Sequence, residues 1–164
     1  MITLAYGAQA QQNTGSVSAA EERQVLANRY VHEILPYWQH RLHLDEWNVS
    51  ILLSRPEDLR QGTLGNIHWD RDKKSATIRV MDSTGYQTDL AAMLKDMQVT
   101  VVHELVHLEL ASLPVDEADR NNQEFAIDRL TDALLAADEG RTLSGYLPVA
   151  NPPALSHQAA GLFP

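Results

Sequence analysis

Two histidines and a glutamate stand at a spacing that suits metal chemistry. The segment His103-Glu104-Leu105-Val106-His107 places two imidazoles four residues apart, and on a helix such residues lie one above the other on the same face. Both rings can therefore reach one ion. We expect one Zn²⁺ per chain, because imidazole nitrogen suits zinc and the 164-residue chain has no cysteine to supply a competing thiolate.

The glutamate inside this segment suits a catalytic role. Glu104 lies about 100° around a helix from His103, close enough to the ion to accept a proton from a metal-bound water. The surrounding residues are mostly apolar, and ionisable side chains in such a run are costly unless they are paired or bind a metal. The alternative is an ordinary helix with two half-exposed histidines and a solvated glutamate. A di-iron site is excluded, because it needs two Glu-x-x-His motifs and Glu104-x-x-His107 is the only one in the chain.

The H-E-x-x-H motif supplies two metal ligands and does not identify a third. Metzincins continue with x-x-G-x-x-H, but here those two positions hold Leu110 and Leu113. No histidine occurs between His107 and His157, which argues against a third histidine soon after the helix, as in SprT-like proteases. Both of these zinc classes are therefore set aside.

Carboxylates downstream of the motif are the remaining ligand candidates. Glu124 and Asp128 are four residues apart and share one face of the next predicted helix. In an acidic protein such a pair can also be an ordinary solvated helix face. Rival ligands in the connecting segment have no partner at this spacing: Asp116, Glu117 and Asp119.

The elements before the motif are predicted as a helix and three strands. Ser18 to Glu21 fits a capping box, and apolar spacing predicts a helix over 19–35. Pro36 is expected to kink or restart this helix, whose apolar face continues to about His43. Alternation predicts strands over 47–53, 64–69 and 75–81. The charged segment 70–74 is expected to join the last two strands as a hairpin.

Two further helices are predicted to carry the candidate site. Helical spacing runs from Thr88 or Asp89 to Leu110, and Pro114 blocks its continuation. A second helix is expected over 117–137, with Gly140 as its stop. The apolar side of this second helix is predicted to consist of four residues: Phe125, Ile127, Leu130 and Leu134.

The motif and the downstream acids together resemble the gluzincins, zinc metallopeptidases whose third ligand is a glutamate one helix beyond H-E-x-x-H. Thermolysin-like members carry N-E-x-x-S-D there, and this chain has Gln123-Glu124 and Ile127-Asp128 at the matching positions. The resemblance implies that Glu124 is the third zinc ligand and that Asp128 hydrogen-bonds His103 and fixes its tautomer. The substitutions by Gln123 and Ile127 leave the metal ligands intact but change their surroundings.

The short chain is most similar to the minimal gluzincins, or minigluzincins, over residues 19–137. This resemblance implies a zincin-like α+β fold with an N-terminal helix and a small, mainly antiparallel sheet of about three strands. The active-site helix and a helix carrying the third ligand follow. It also implies that the strand before the active-site helix, Ser75 to Met81, is the sheet edge that pairs with an extended substrate. An ordinary edge strand protected by Arg79 and nearby lysines is the alternative.

The remainder of the chain is predicted to serve one domain. We expect a flexible leader over residues 1–18, the zincin-like domain over 19–146, and a proline-rich tail over 147–164. The leader lacks a complete signal peptide, and a truncated signal remnant ending at Ala8-Gln9-Ala10 is the alternative. The compartment therefore stays open, with the cytoplasm slightly favoured over secretion. No apolar run approaches the ~18 residues that span a bilayer, so no membrane partner is expected.

Composition further narrows the partners. Asp and Glu number 22 against 13 Lys and Arg, a net charge of −9, which argues against nucleic acid as a partner. The expected partner is a peptide or protein substrate of a monomeric enzyme, with Glu104 as general base for a zinc-activated water. The alternative is a catalytically inactive zincin-fold module that binds or regulates and holds a zinc ion.

Overall fold

The computed structural model describes residues 18–113 and 119–138 and has an α+β architecture, as predicted. The predicted leader before Ser18, the tail over 147–164 and the stop at Gly140 lie outside these residues. The helices and strands follow in chain order: α1 (Ala19–Arg41), β1 (Asn48–Ser54), β2 (Gly65–Asp70), β3 (Ser75–Met81), α2 (Leu90–Glu109) and α3 (Arg120–Ala137). Short 3₁₀ turns lie at Pro56–Asp58, Ser83–Gly85 and Leu110–Ser112.

Helix α1 begins at the predicted capping box and continues through its proline. The Ser18 hydroxyl accepts from the Glu21 amide at 3.2 Å, and the Glu21 carboxylate accepts from the Ser18 amide at 2.8 Å. The helix does not restart at Pro36, because α1 runs without interruption to Arg41, close to the predicted end near His43. Pro36 has no N–H to donate to the carbonyl of His32, four residues earlier. Both residues are exposed. Water can therefore satisfy that carbonyl while the opposite face stays buried.

The sheet is mixed rather than mainly antiparallel, with the strand order β1-β3-β2. β3 pairs in parallel with β1, with Ile51 opposite Ile78, and antiparallel with β2, with Ile67 opposite Ile78. β2 and β3 form the predicted hairpin, and Asp70 caps its turn by accepting from the amides of Asp72 and Lys73, each at 3.1 Å. β3 is therefore the central strand, and the prediction that it forms the edge was wrong.

The core lies between one face of the sheet and the helices α1 and α2. β3 contributes Ala76, Ile78 and Val80 to this core. Gly65 of β2 brings α2 close to the sheet, because a Cβ atom there would lie 2.5 Å from both the Arg79 carbonyl oxygen and Thr100 Cγ2. α2 is the most deeply buried of the described helices, and its buried residues extend from Met93 to Leu108.

Helix α3 packs against α2 by a narrow face. Ile127 and Thr131 are buried, whereas Phe125 and Leu130 are exposed, so the predicted apolar side was wrong at these two positions. The end of α3 is held instead by the buried carboxylate of Asp138, which accepts from the Tyr37 hydroxyl and from Arg41 Nη1 of α1. Across residues 18–113 and 119–138, every helix is too short or too polar to cross a bilayer.

Candidate metal centre

Helix α2 holds the H-E-x-x-H segment in the core. Val101, Val102 and Leu105 are fully buried around it, so the backbone that carries the two histidines is fixed by packing. Both imidazoles reach the surface of a cleft, with side-chain exposures of 21% for His103 and 17% for His107. Their Nε2 atoms lie 3.1 Å apart. The alternative of an ordinary helix with a solvated glutamate disagrees with the structure in one respect, since Glu104 is buried.

Helix α3 brings its two candidate carboxylates to the same place. Glu124 Oε2 lies 3.5 Å from His103 Nε2 and 3.3 Å from His107 Nε2. Asp128, one turn later, lies with Oδ1 3.2 Å from His103 Nδ1. All five predicted site residues belong to these two helices, and four of them are brought into this one cluster.

The three potential ligand atoms lie close enough together for one metal ion to contact all of them. Tetrahedral zinc with ligand distances of ~2.0–2.1 Å holds neighbouring ligand atoms roughly 3.3 Å apart. The observed edges of 3.1, 3.3 and 3.5 Å match this value. A single group of at least three potential ligands was found in the described part of the chain: His103, His107 and Glu124. Two nitrogens and one carboxylate oxygen form a donor set that suits zinc and leaves a fourth position open.

Asp128 contacts the imidazole nitrogen that faces away from the three ligand atoms. His103 Nδ1 lies 3.2 Å from Asp128 Oδ1, so a proton on Nδ1 would face this carboxylate and the Nε2 lone pair would be left to bind a cation. Outer carboxylates of this kind orient a ligating histidine and raise its basicity. Asp128 is therefore within reach of His103, and the hydrogen bond that the family resemblance implies stays a prediction.

The connecting segment contains the three rival carboxylates Asp116, Glu117 and Asp119, of which the structure describes Asp119. Asp119 precedes α3 and accepts a long hydrogen bond, 3.4 Å, from Asn122 Nδ2. It does not belong to the cluster of potential ligands among the described residues. Asp116 and Glu117 lie outside the described residues.

Burial and charge set the protonation of the cluster in the metal-free chain. Glu104 is only 7% exposed, and burial, followed by repulsion from Glu124, raises its pKa to about 7. Burial also lowers the pKa of His107, and this effect outweighs the opposing attraction of Glu124. A neutral imidazole has a free lone pair, which is the form that binds a metal.

A cleft of about 980 Å³ opens over the cluster. Its walls come from α2, from the beginning of α3 and from β2 with the loop before it. Glu104 lines this cleft together with the three potential ligands. A buried acid, a triangle of potential metal ligands and space for a bound molecule therefore share one cleft.

The sheet edge that borders this cleft is β2. The Met81 amide donates to the Leu64 carbonyl at 2.8 Å, so the alternation of an antiparallel ladder directs the amide and carbonyl groups of Gly65, Ile67 and Trp69 away from β3. All three residues line the cleft. The sequence analysis missed this edge because each strand has a clear pattern but no signal in the sequence sets which two strands lie outermost.

Comparison of the chain with protein-family models, with curated proteins and with solved structures found no match.

Proposed function

We propose that this protein is a zinc-dependent metallopeptidase with a gluzincin-like site on a zincin-like fold. The observation that carries the proposal is the triangle formed by His103 Nε2, His107 Nε2 and Glu124 Oε2, with edges of 3.1 to 3.5 Å, beside a buried glutamate. Structural zinc is usually closed by a fourth protein ligand, whereas catalytic zinc keeps one position open. Three ligands facing a cleft favour the catalytic kind.

The chain would divide the chemistry among few residues. When bound, zinc lowers the pKa of a coordinated water towards ~7 and polarises a carbonyl group. Glu104 accepts the proton of the attacking water and passes it to the leaving amine. Asp128 holds His103 in the tautomer that leaves Nε2 free.

The free edge of β2 supplies a means of holding a peptide. An extended substrate can add to this edge as a further strand, using main-chain groups of Gly65, Ile67 and Trp69. Because these residues line the same cleft as Glu104, a peptide paired with them lies across the site. This role replaces the one expected for β3.

The test is the substitution Glu104→Gln in the zinc-loaded protein. Glutamine keeps the shape of the side chain but cannot accept a proton, so hydrolysis of unstructured peptides should fall by about 10²–10⁴-fold while zinc content stays the same. Glu109→Gln is the matched control, since it makes the same change at an exposed position of α2 outside the cleft. A chelator should abolish wild-type cleavage and added zinc should restore it.

A different outcome would support the inactive module instead. That outcome is a wild type with stoichiometric zinc that cleaves nothing in a broad peptide library, and a Glu104→Gln variant that cannot be distinguished from it.

A further inference from the structure

Two arginines stand at opposite ends of the free edge of β2. Arg60 lies in the loop before the strand, and Arg71 follows its last residue, Asp70. Both are exposed and both line the cleft. Within residues 18–113 and 119–138, neither guanidinium lies within ion-pair distance of a carboxylate. Both charges are therefore available to a ligand.

The candidate metal centre lies opposite the middle of β2, between these arginines. At one end Gly65 packs on Thr100, one turn before His103. At the other end Arg71 shares a second cavity of about 320 Å³ with Leu108, which follows His107. A strand of six residues is about 20 Å long, so Arg71, which directly follows the strand, stands a few residues of extended peptide away from the site. Arg60 lines the cleft from the loop that leads into the strand.

The described lining of this cleft holds more basic than acidic residues, unlike the chain as a whole. The protein carries 22 acidic against 13 basic residues, yet the described lining of the cleft contains two carboxylates, Glu104 and Glu124, and both belong to the candidate metal centre. Arg120 lines the same cleft. Among the described residues that line the cleft, the charged side chains outside the metal centre are therefore cationic.

We propose that the cleft selects acidic peptides, with Asp or Glu on both sides of the scissile bond and a few residues from it. This specificity rests on the proposed peptidase function. Arg60 would pair with an acidic side chain on one side of the bond, and Arg71 would pair with one on the other. The net negative charge of the chain does not prevent this, because exposed charges beyond ~8 Å are largely screened at physiological salt.

A matched set of three peptides tests the proposal. All three carry the same apolar residues at the scissile bond, and they differ in having Glu, Gln or Lys three residues away on each side. Exposed ion pairs are weak, about threefold each. The wild type should therefore prefer the Glu peptide to the Gln peptide by about tenfold in kcat/KM, and the Lys peptide should be the poorest substrate. The preference should shrink in 0.5 M salt.

Substitutions of Arg60 and Arg71 test whether these two residues cause the preference for the Glu peptide. Arg60→Gln and Arg71→Gln should each reduce kcat/KM for the Glu peptide about threefold and leave the Gln peptide unchanged. Arg79→Gln is the matched control, because Arg79 is exposed on β3 and does not line the cleft. It removes the same charge and should leave the preference intact. An Arg60→Gln, Arg71→Gln double variant that keeps the wild-type preference would overturn the proposal.

Binding measurements separate this proposal from the proposed function. The dissociation constants of the three peptides are measured on zinc-loaded Glu104→Gln protein. Tighter binding of the Glu peptide without cleavage by the wild type would support acidic recognition and contradict hydrolysis. Cleavage of the Glu and Gln peptides at equal rates would overturn the acidic preference and leave hydrolysis standing. A protein that neither binds nor cleaves any of the three would contradict both.

Discussion

The two helices of the candidate metal centre position their residues by different means. On α2, the residues between and beside the two histidines are buried, and Glu104 itself is 7% exposed. On α3, the side chains of Glu124 and Asp128 are 47% and 65% exposed. The core therefore fixes the α2 half of the site, whereas α3 carries its half on the solvent side of a thin interface.

This difference indicates what a metal ion adds to the molecule. Helix α2 is held by packing whether or not a cation is present. α3 is held by the buried residues Ile127 and Thr131 and by the contacts of Asp138 at its C-terminal end. An ion bound by Glu124 would add a further contact near the N-terminal end of α3. A ligand that binds only when α3 is packed on α2 stabilises that packing. We therefore expect zinc to stabilise α3 more than α2.

The largest expected effect comes from removing a ligand from either half. His103→Ala and Glu124→Ala should each weaken zinc binding by more than the ~10–100-fold typical of outer partners, as measured by competition with a chelator. The metal-free Glu124→Ala protein should keep wild-type stability to within about 0.5 kcal/mol, because an exposed side chain contributes little. Asp132→Ala on the same helix is the control. Stoichiometric, tightly bound zinc in Glu124→Ala would place the third ligand elsewhere.

The thin interface of α3 can be tested by two apolar substitutions on that helix. Ile127 is fully buried, so Ile127→Ala should cost about 2–5 kcal/mol in the free energy of unfolding. Phe125 is 62% exposed, so Phe125→Ala should change it by less than about 0.5 kcal/mol. Urea unfolding measures both. Equal costs would mean that Phe125 is part of the core, as the sequence pattern suggested.

The buried acid of α2 predicts a pH-dependent stability in the metal-free protein. The pKa of Glu104 is about 7, against an ordinary 4.5, so the folded chain binds the proton of this carboxyl group more tightly than the unfolded chain does. The contribution of Glu104 protonation to the free energy of unfolding is present in full below pH 4.5 and is lost as pH rises through 7. Glu104→Gln should therefore stabilise the chelator-treated protein by up to about 3 kcal/mol at pH 8 and by very little at pH 4.5. A difference that stays constant with pH would contradict this account.

The smallest effect should follow from the outer partner on α3. Asp128→Asn keeps the size of the side chain but weakens its interaction with His103, and it should lower zinc affinity about 10–100-fold without unfolding the protein. Asp132→Asn, one turn further along and exposed, is the matched control. Wild-type affinity in Asp128→Asn would reduce this carboxylate to a surface residue.

What the sequence could predict was local. The H-E-x-x-H spacing, the capping box at Ser18 and the bounds of β3 each follow from patterns within a few residues, and the structure contains them. The meeting of Glu124 with the two histidines depends on how α3 returns to α2. Spacing alone left that return open, and the family resemblance supplied the expectation.

Features that depend on distant partners were the ones predicted wrongly. Strand order requires knowing which neighbour each strand finds, so β3 was taken as the edge although it lies between β1 and β2. The buried face of α3 includes the polar Thr131 and excludes the apolar Phe125, which hydrophobic spacing cannot reveal. Pro36 stays inside α1 because the buried side of the helix outweighs one lost backbone hydrogen bond.

The most direct test of the central claim is a crystal structure of the zinc-loaded protein with anomalous data collected at the zinc edge. We expect one peak per chain, about 2.0–2.2 Å from His103 Nε2, His107 Nε2 and a Glu124 carboxylate oxygen, with the remaining position facing the cleft beside Glu104. A peak bound by other residues, a fourth protein ligand closing the site, or no peak at these three side chains would contradict it.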